Sequence, residues 1–135
     1  MMFTGHCLCN QVQFEFDTQP TDVSICHCSF CRRMTGTAFG VYVKVPAANL
    51  TLVSGAEQVM TYNVTGKLGM CSCRECGSYV YAKHSDYSEF AYICLGAVDD
   101  HGDIHPGYHE FVGSKASWFE IHDSLPQFEG WSPDE

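Results

Sequence analysis

Eight of the nine cysteines fall into three tight clusters, Cys7-Leu8-Cys9, Cys26-His27-Cys28-Ser29-Phe30-Cys31 and Cys71-Ser72-Cys73-Arg74-Glu75-Cys76. A fold for this chain must bring these clusters somewhere useful. Thiolates one to three residues apart present soft ligands to one zinc ion, because a short knuckle can aim both sulfurs at a point ~2.3 Å away. One C-x-C plus one C-x-x-C closes a four-sulfur site, whereas C-x-C-x-x-C supplies three sulfurs and leaves a vacancy. Closed tetrahedra are structural and open ones can do chemistry. Two zinc ions per chain are therefore expected, one for the fold and one for function. Spacing alone leaves the pairing open: Cys71 could replace Cys73 or complete the Cys26, Cys28 and Cys31 set.

A disulfide framework competes with this reading, but nine is an odd count. Residues 1–6 carry no basic segment and no apolar run, so a cytoplasmic location is expected, where thiols stay reduced. No apolar stretch approaches the ~20 residues that a membrane span needs. Cys94 stands apart, in a run read as a strand, and is expected to be a small buried hydrophobe.

The 135 residues suit a single domain, residues 1–135. The formal charge is −9, and seven thiolates against the four charges of two zinc ions take it to −12. With only seven lysines and arginines, such a chain is a poor partner for nucleic acid or for an anionic membrane. Polar–apolar alternation marks residues 11–16, 38–45, 59–64, 79–82 and 90–98 as strands. Helical candidates are short, at 29–34 and 46–49, and residues 129–135 read as a loose tail. The expected class is mainly β, with cysteines in the strand connections and Gly77 easing a zinc knuckle.

Three segments carry a resemblance. They are Gly5-His6-Cys7-Leu8-Cys9 before Val12-Gln13-Phe14; Cys26-His27-Cys28-Ser29-Phe30-Cys31-Arg32-Arg33; and Cys73-Arg74-Glu75-Cys76-Gly77-Ser78. With the closing segment His109 to Trp118 and Asp123 to Phe128, they resemble the glutathione-dependent formaldehyde-activating enzyme family, which includes centromere protein V. The chain looks like a compact, divergent member. The resemblance implies a β-tent fold, shared with methionine sulfoxide reductase B. It implies Cys7, Cys9, Cys73 and Cys76 on a structural zinc, and Cys26, Cys28 and Cys31 on a catalytic one. Cys71 lies outside the pattern as a spare thiol.

The implied activity is that of a carbon–sulfur lyase or synthase, of the S-hydroxymethylglutathione synthase type. Its partners would be a small thiol such as glutathione and a small aldehyde. A zinc held by three thiolates suits such chemistry, and no dinucleotide fingerprint or phosphate loop is present. Arg32 and Lys115 are candidate clamps for substrate carboxylates. His27 could shuttle a proton, but alternation with Cys26 and Cys28 turns it away from the metal, toward a supporting or surface position. His105 and His109 flank the Pro106-Gly107 turn and read as structural. Trp118, Phe119 and Phe128 read as core. A non-catalytic zinc-stabilised module on the same fold is the alternative. A redox enzyme like methionine sulfoxide reductase B would need a metal-free reactive cysteine, with Cys71 and Cys94 as candidates, and its arginine-x-cysteine-x-asparagine motif is absent.

Overall fold

A computed structural model describes residues 2–133. The chain is mainly β. Among the described residues ten strands run β1 (Phe3–His6), β2 (Gln13–Phe16), β3 (Val23–Cys26), β4 (Gly40–Pro46), β5 (Leu50–Ser54), β6 (Val59–Asn63), β7 (Leu68–Cys73), β8 (Tyr79–His84), β9 (Phe90–Cys94) and β10 (Tyr108–Glu110), with one α-helix, α1 (Ser29–Thr35). A three-stranded sheet has the order β1-β2-β5, and a seven-stranded sheet the order β10-β3-β4-β9-β8-β7-β6. Neighbours are antiparallel except β10, which lies parallel to β3. No helix among the described residues is long and apolar enough to cross a membrane.

The two-residue period of the strands divides the core in two. On one face of the large sheet, Val43, Val45, Ala91 and Ile93 join Phe14 and Phe16 of the small sheet, all nearly without solvent contact. On the other face, Tyr42, Tyr92, Met70 and Ala82 surround Cys26 and Cys31. Adjacent residues of one strand thus serve different purposes: Val43 holds the sheets together, and Tyr42 reaches the cysteines. Gly5 explains why the first motif opens on glycine. It lies opposite Phe14 in the β1–β2 ladder, and a Cβ there would sit 2.2 Å from the Phe14 ring and 2.4 Å from the Ala97 carbonyl oxygen.

Three expectations need correction. The 90–98 run stops as a strand at Cys94 and continues as a 3-10 turn, Leu95–Ala97. Trp118 is 70% exposed rather than core, while Phe119 and Phe128 are half-buried against Phe39 and Tyr108. The stretch from Glu129 is not loose as far as it is described. Phe111 N–H donates to Gly130 O, Ser132 N–H donates to Glu110 Oε2 at 2.7 Å, and Trp131 packs edge-on against Phe111. The physical reason is that β10 is a sheet edge whose free backbone groups are taken by the returning chain. Residues 134–135 of the expected tail lie outside the described residues.

Candidate metal centres

Two cysteine groups converge, and they are the two that the motifs suggested. Cys7, Cys9, Cys73 and Cys76 bring their sulfurs within 4.8 Å of one another, as do Cys26, Cys28 and Cys31. All nine cysteines are free thiols, so the disulfide framework is not what the fold uses.

The four-sulfur group is built from two tight turns at opposite ends of the fold's first half. After β1 the chain reverses, with Asn10 in the left-handed region at φ 70° donating its N–H to Cys7 O. Val12 N–H then points at Cys7 Sγ, 3.3 Å away. The second turn follows β7, where Gly77 at φ 80° donates its N–H to Cys73 O. Leu8 N–H donates to Ser78 Oγ at 2.9 Å and ties the two turns together. Cys7 and Cys9 sulfurs lie 3.6 Å apart, and Cys9 and Cys73 sulfurs 3.8 Å apart. A regular tetrahedron with metal–sulfur bonds of ~2.3 Å has sulfurs about 3.8 Å apart. The donor set thus suits a tetrahedral thiolate-loving ion, and Ser78 holds the Cys76 thiol down to about 5 through its hydroxyl and its backbone N–H.

The three-sulfur group is local. Cys26 ends β3, Cys28 caps α1 and accepts the Cys31 N–H at 3.3 Å, and Cys31 sits in the helix's first turn. Cys28 and Cys31 sulfurs are 3.1 Å apart. Tyr42 Oη lies 3.1 Å from Cys31 Sγ and 2.9 Å from Tyr79 Oη, a hydroxyl chain leading to the sulfur. As bare thiols the three cannot all ionise. Hydrogen bonds from Cys26 and then Cys31 hold Cys28 down to about 3. The same contacts, first with Cys28 and then Cys31, push Cys26 far up. For Cys31, the bond to Cys26 pulls downward, but the bond to Cys28 and burial outweigh it and leave the thiol at about 12. Three crowded sulfurs that can ionise only one at a time are a set a divalent cation would relieve. A cavity of about 180 Å³ opens on this group, with Cys26, Cys28, Cys31, Tyr42, Tyr79 and Glu110 in its wall.

His27 faces away from the sulfurs, as alternation requires, but it is fully buried rather than at the surface. Its Nε2 meets His109 Nδ1 at 2.8 Å, and His109 Nε2 lies 3.0 and 3.1 Å from the two Asp123 oxygens. The hydrogen bond from His109 holds the Asp123 carboxyl below its ordinary range, so Asp123 accepts. His109 Nε2–H then donates to it, which leaves His109 Nδ1 to accept from His27 Nε2–H. Burial above all lowers His27 to about 4, so it is neutral. Its Nδ1 is buried without a partner. The chain His27–His109–Asp123 fixes the loop between two metal-ligand candidates to the closing segment. Replacing His109 with leucine would strand the buried His27 N–H and is expected to cost about 1–3 kcal/mol, read as a lower urea midpoint.

Other sequence candidates are placed as follows. Arg32, on α1, has its Nε buried without a hydrogen-bond partner. Lys115 Nζ donates to the carbonyls of Ala116 and Phe119. Neither lines the cavity. His105 is exposed and turned toward Pro106 O. Cys71 belongs to neither group and contacts Thr61 Oγ1 at 3.4 Å. Cys94 packs beside the second core, where burial pushes its thiol well up.

The family described as glutathione-dependent formaldehyde-activating enzyme has a sequence profile that matches residues 2–114. The chain belongs to that family. Two relatives, from Emericella nidulans and Penicillium rubens, are named as candidate glutathione-dependent formaldehyde-activating enzymes. The first is 26% identical over 78 residues, covering 58% of this chain and 40% of its own. The second is 20% identical over 112 residues, covering 81% and 59%. The match thus spans well under two thirds of either relative, 40% of the first and 59% of the second. A Rhodobacter sphaeroides protein of known crystal structure superposes with a TM-score of 0.64 at 24% identity, over 74% of this chain and 91% of its own, and shares the fold.

Within this member of the formaldehyde-activating-enzyme family, sequence reasoning did not find Glu110, Tyr42, Tyr79 or Trp131. All four line the cavity. Glu110 carried no signal of its own in the sequence, because the parallel β10–β3 pairing is what buries it.

Proposed function

We propose that the three-cysteine centre binds zinc and forms or cleaves the carbon–sulfur bond of a small thiol–aldehyde adduct, chemistry of the S-hydroxymethylglutathione synthase type. One observation carries the reading: all three sulfurs of the Cys26, Cys28 and Cys31 group line a cavity. Zinc bound by three thiolates would keep a fourth position for a substrate thiolate or a carbonyl oxygen. The other group would be the structural zinc, giving two ions per chain.

The addition is balanced without any electron donor. The thiol sulfur attacks the carbonyl carbon, a C–S bond forms, the C=O π pair moves to oxygen, and the proton lost by sulfur ends on that oxygen. Glu110, with one oxygen receiving Ser132 N–H, is the carboxyl in the cavity wall and the group we assign to carry that proton. Tyr42, donating toward Cys31 Sγ, would keep that ligand oriented. The apolar walls would exclude water and leave the two reactants adjacent. Free thiols in both groups suit a reducing compartment such as the cytoplasm.

Exchange spectroscopy on a thiol–aldehyde mixture tests the reading. Zinc-loaded protein should accelerate interconversion of free thiol and adduct, and Glu110→Gln should slow it roughly 100-fold. No acceleration by a protein that retains two zinc ions would leave a zinc-stabilised binding module instead.

A further inference from the structure

The cavity beside Cys26, Cys28 and Cys31 has a chemistry of its own. Its wall is dominated by Phe30, Leu68, Met70, Tyr92, Phe111 and Trp131. None of the chain's seven lysines and arginines lines it, and Glu110 places a carboxyl in the wall. Arg32 and Lys115 both lie outside, and Lys115 is already occupied by two carbonyls. Phe30 and Trp131, 40% and 43% exposed, continue the apolar surface outward. A ligand carboxylate entering here would lose water and meet no lysine or arginine, and the histidine in the wall, His84, already accepts the Asp86 N–H through Nδ1, so its burial is costly.

Size points the same way. A cavity of about 180 Å³ is slightly larger than the ~150 Å³ apolar cavity that accommodates benzene. It falls below the ~300–1,000 Å³ typical of sites for larger organic ligands. Formaldehyde, with two non-hydrogen atoms, would leave most of it empty. Glutathione brings two carboxylates and a tripeptide's bulk. Flexible Met70 and the surrounding rings instead match a compact hydrocarbon group.

We infer that this cavity recognises an uncharged thiol, or its aldehyde adduct, carrying a hydrocarbon substituent of about benzyl size, in preference to the anionic tripeptide. The inference rests on the proposed thiol-binding role of the three-cysteine centre, which it narrows to a substrate class.

Calorimetric titration of the zinc-loaded protein with benzyl mercaptan and with glutathione tests it. Benzyl mercaptan should bind roughly tenfold tighter or more. Leu68→Lys, which puts a cation into the wall without touching a cysteine of the centre, should erase most of that preference. Glutathione binding as tightly as benzyl mercaptan would overturn the inference while leaving thiol binding at the centre intact. If neither thiol binds, the thiol-binding reading itself fails, and toluene, which needs no metal, decides the cavity's preference. A toluene-induced shift of the Met70 methyl resonance would support apolar recognition, and an unmoved resonance would overturn it.

Discussion

Replacing Cys76 with serine is expected to unfold the domain at physiological temperature, or to lower its melting temperature sharply. Cys76 closes a four-sulfur group whose other members come from the turn after β1 and the end of β7. Cys9 and Cys73, whose sulfurs are 3.8 Å apart, are separated by 64 residues. A metal there would clamp the small sheet to the large one. Structural zinc contributes apparent binding energy of about 10–16 kcal/mol in small peptides, comparable to or above a domain's whole net stability of about 5–15 kcal/mol. Thermal denaturation with parallel metal analysis checks this. A folded, metal-free Cys76→Ser protein that melts like the wild type would remove the structural assignment.

Cys28→Ser is expected to do the opposite: abolish thiol–aldehyde exchange while the fold survives. Cys28 and Cys31 are three residues apart, so a metal there ties little of the chain together. The difference in loop-closure entropy between the two groups is about 2–3 kcal/mol in favour of the long-range one. The second core that surrounds Cys26 and Cys31 stays packed through Tyr42, Met70 and Tyr92 whichever group occupies position 28. Circular dichroism beside the exchange assay separates the two effects. Full activity in Cys28→Ser would sink the open-centre mechanism.

The parts of this molecule legible in the sequence were those whose signal is local. Both ligand groups follow from spacings of one to three residues, and the resemblance of their motifs assigned the pairing that spacing left open. Strands with one face toward solvent or a mixed environment, such as β2 and β4, announce themselves by alternation. β3 does not, because Val23, Ser24, Ile25 and Cys26 are all buried between β10 and β4, and a four-residue run with one polar residue is too short to show a period. In β7, Cys71 and Cys73 alternate with Met70 and Ser72, and the cysteines were read as ligands before they were read as a strand.

The cavity was illegible for a different reason. Tyr42, Met70, Tyr79, Glu110 and Trp131 come from strands β4, β7, β8 and β10 and the returning chain, and only sheet order makes them neighbours. His27 shows the limit of periodicity: alternation correctly turned it from the metal, but its burial depends on His109 and Phe39, distant in sequence or in strand. Trp118 and Trp131 exchanged expectations, one exposed and the other packed on Phe111, because the closing segment's path is set by the edge of β10 rather than by its own composition.

The central claim is that two metal centres of different character share one fold, one closed and structural, the other open at a cavity. Native mass spectrometry during titration with a mild chelator tests it most directly. The account predicts two zinc ions per chain at the start. One should leave first, from Cys26, Cys28 and Cys31, with loss of exchange activity and no change in the charge-state distribution of the folded protein. Simultaneous loss of both ions with cooperative unfolding would contradict it.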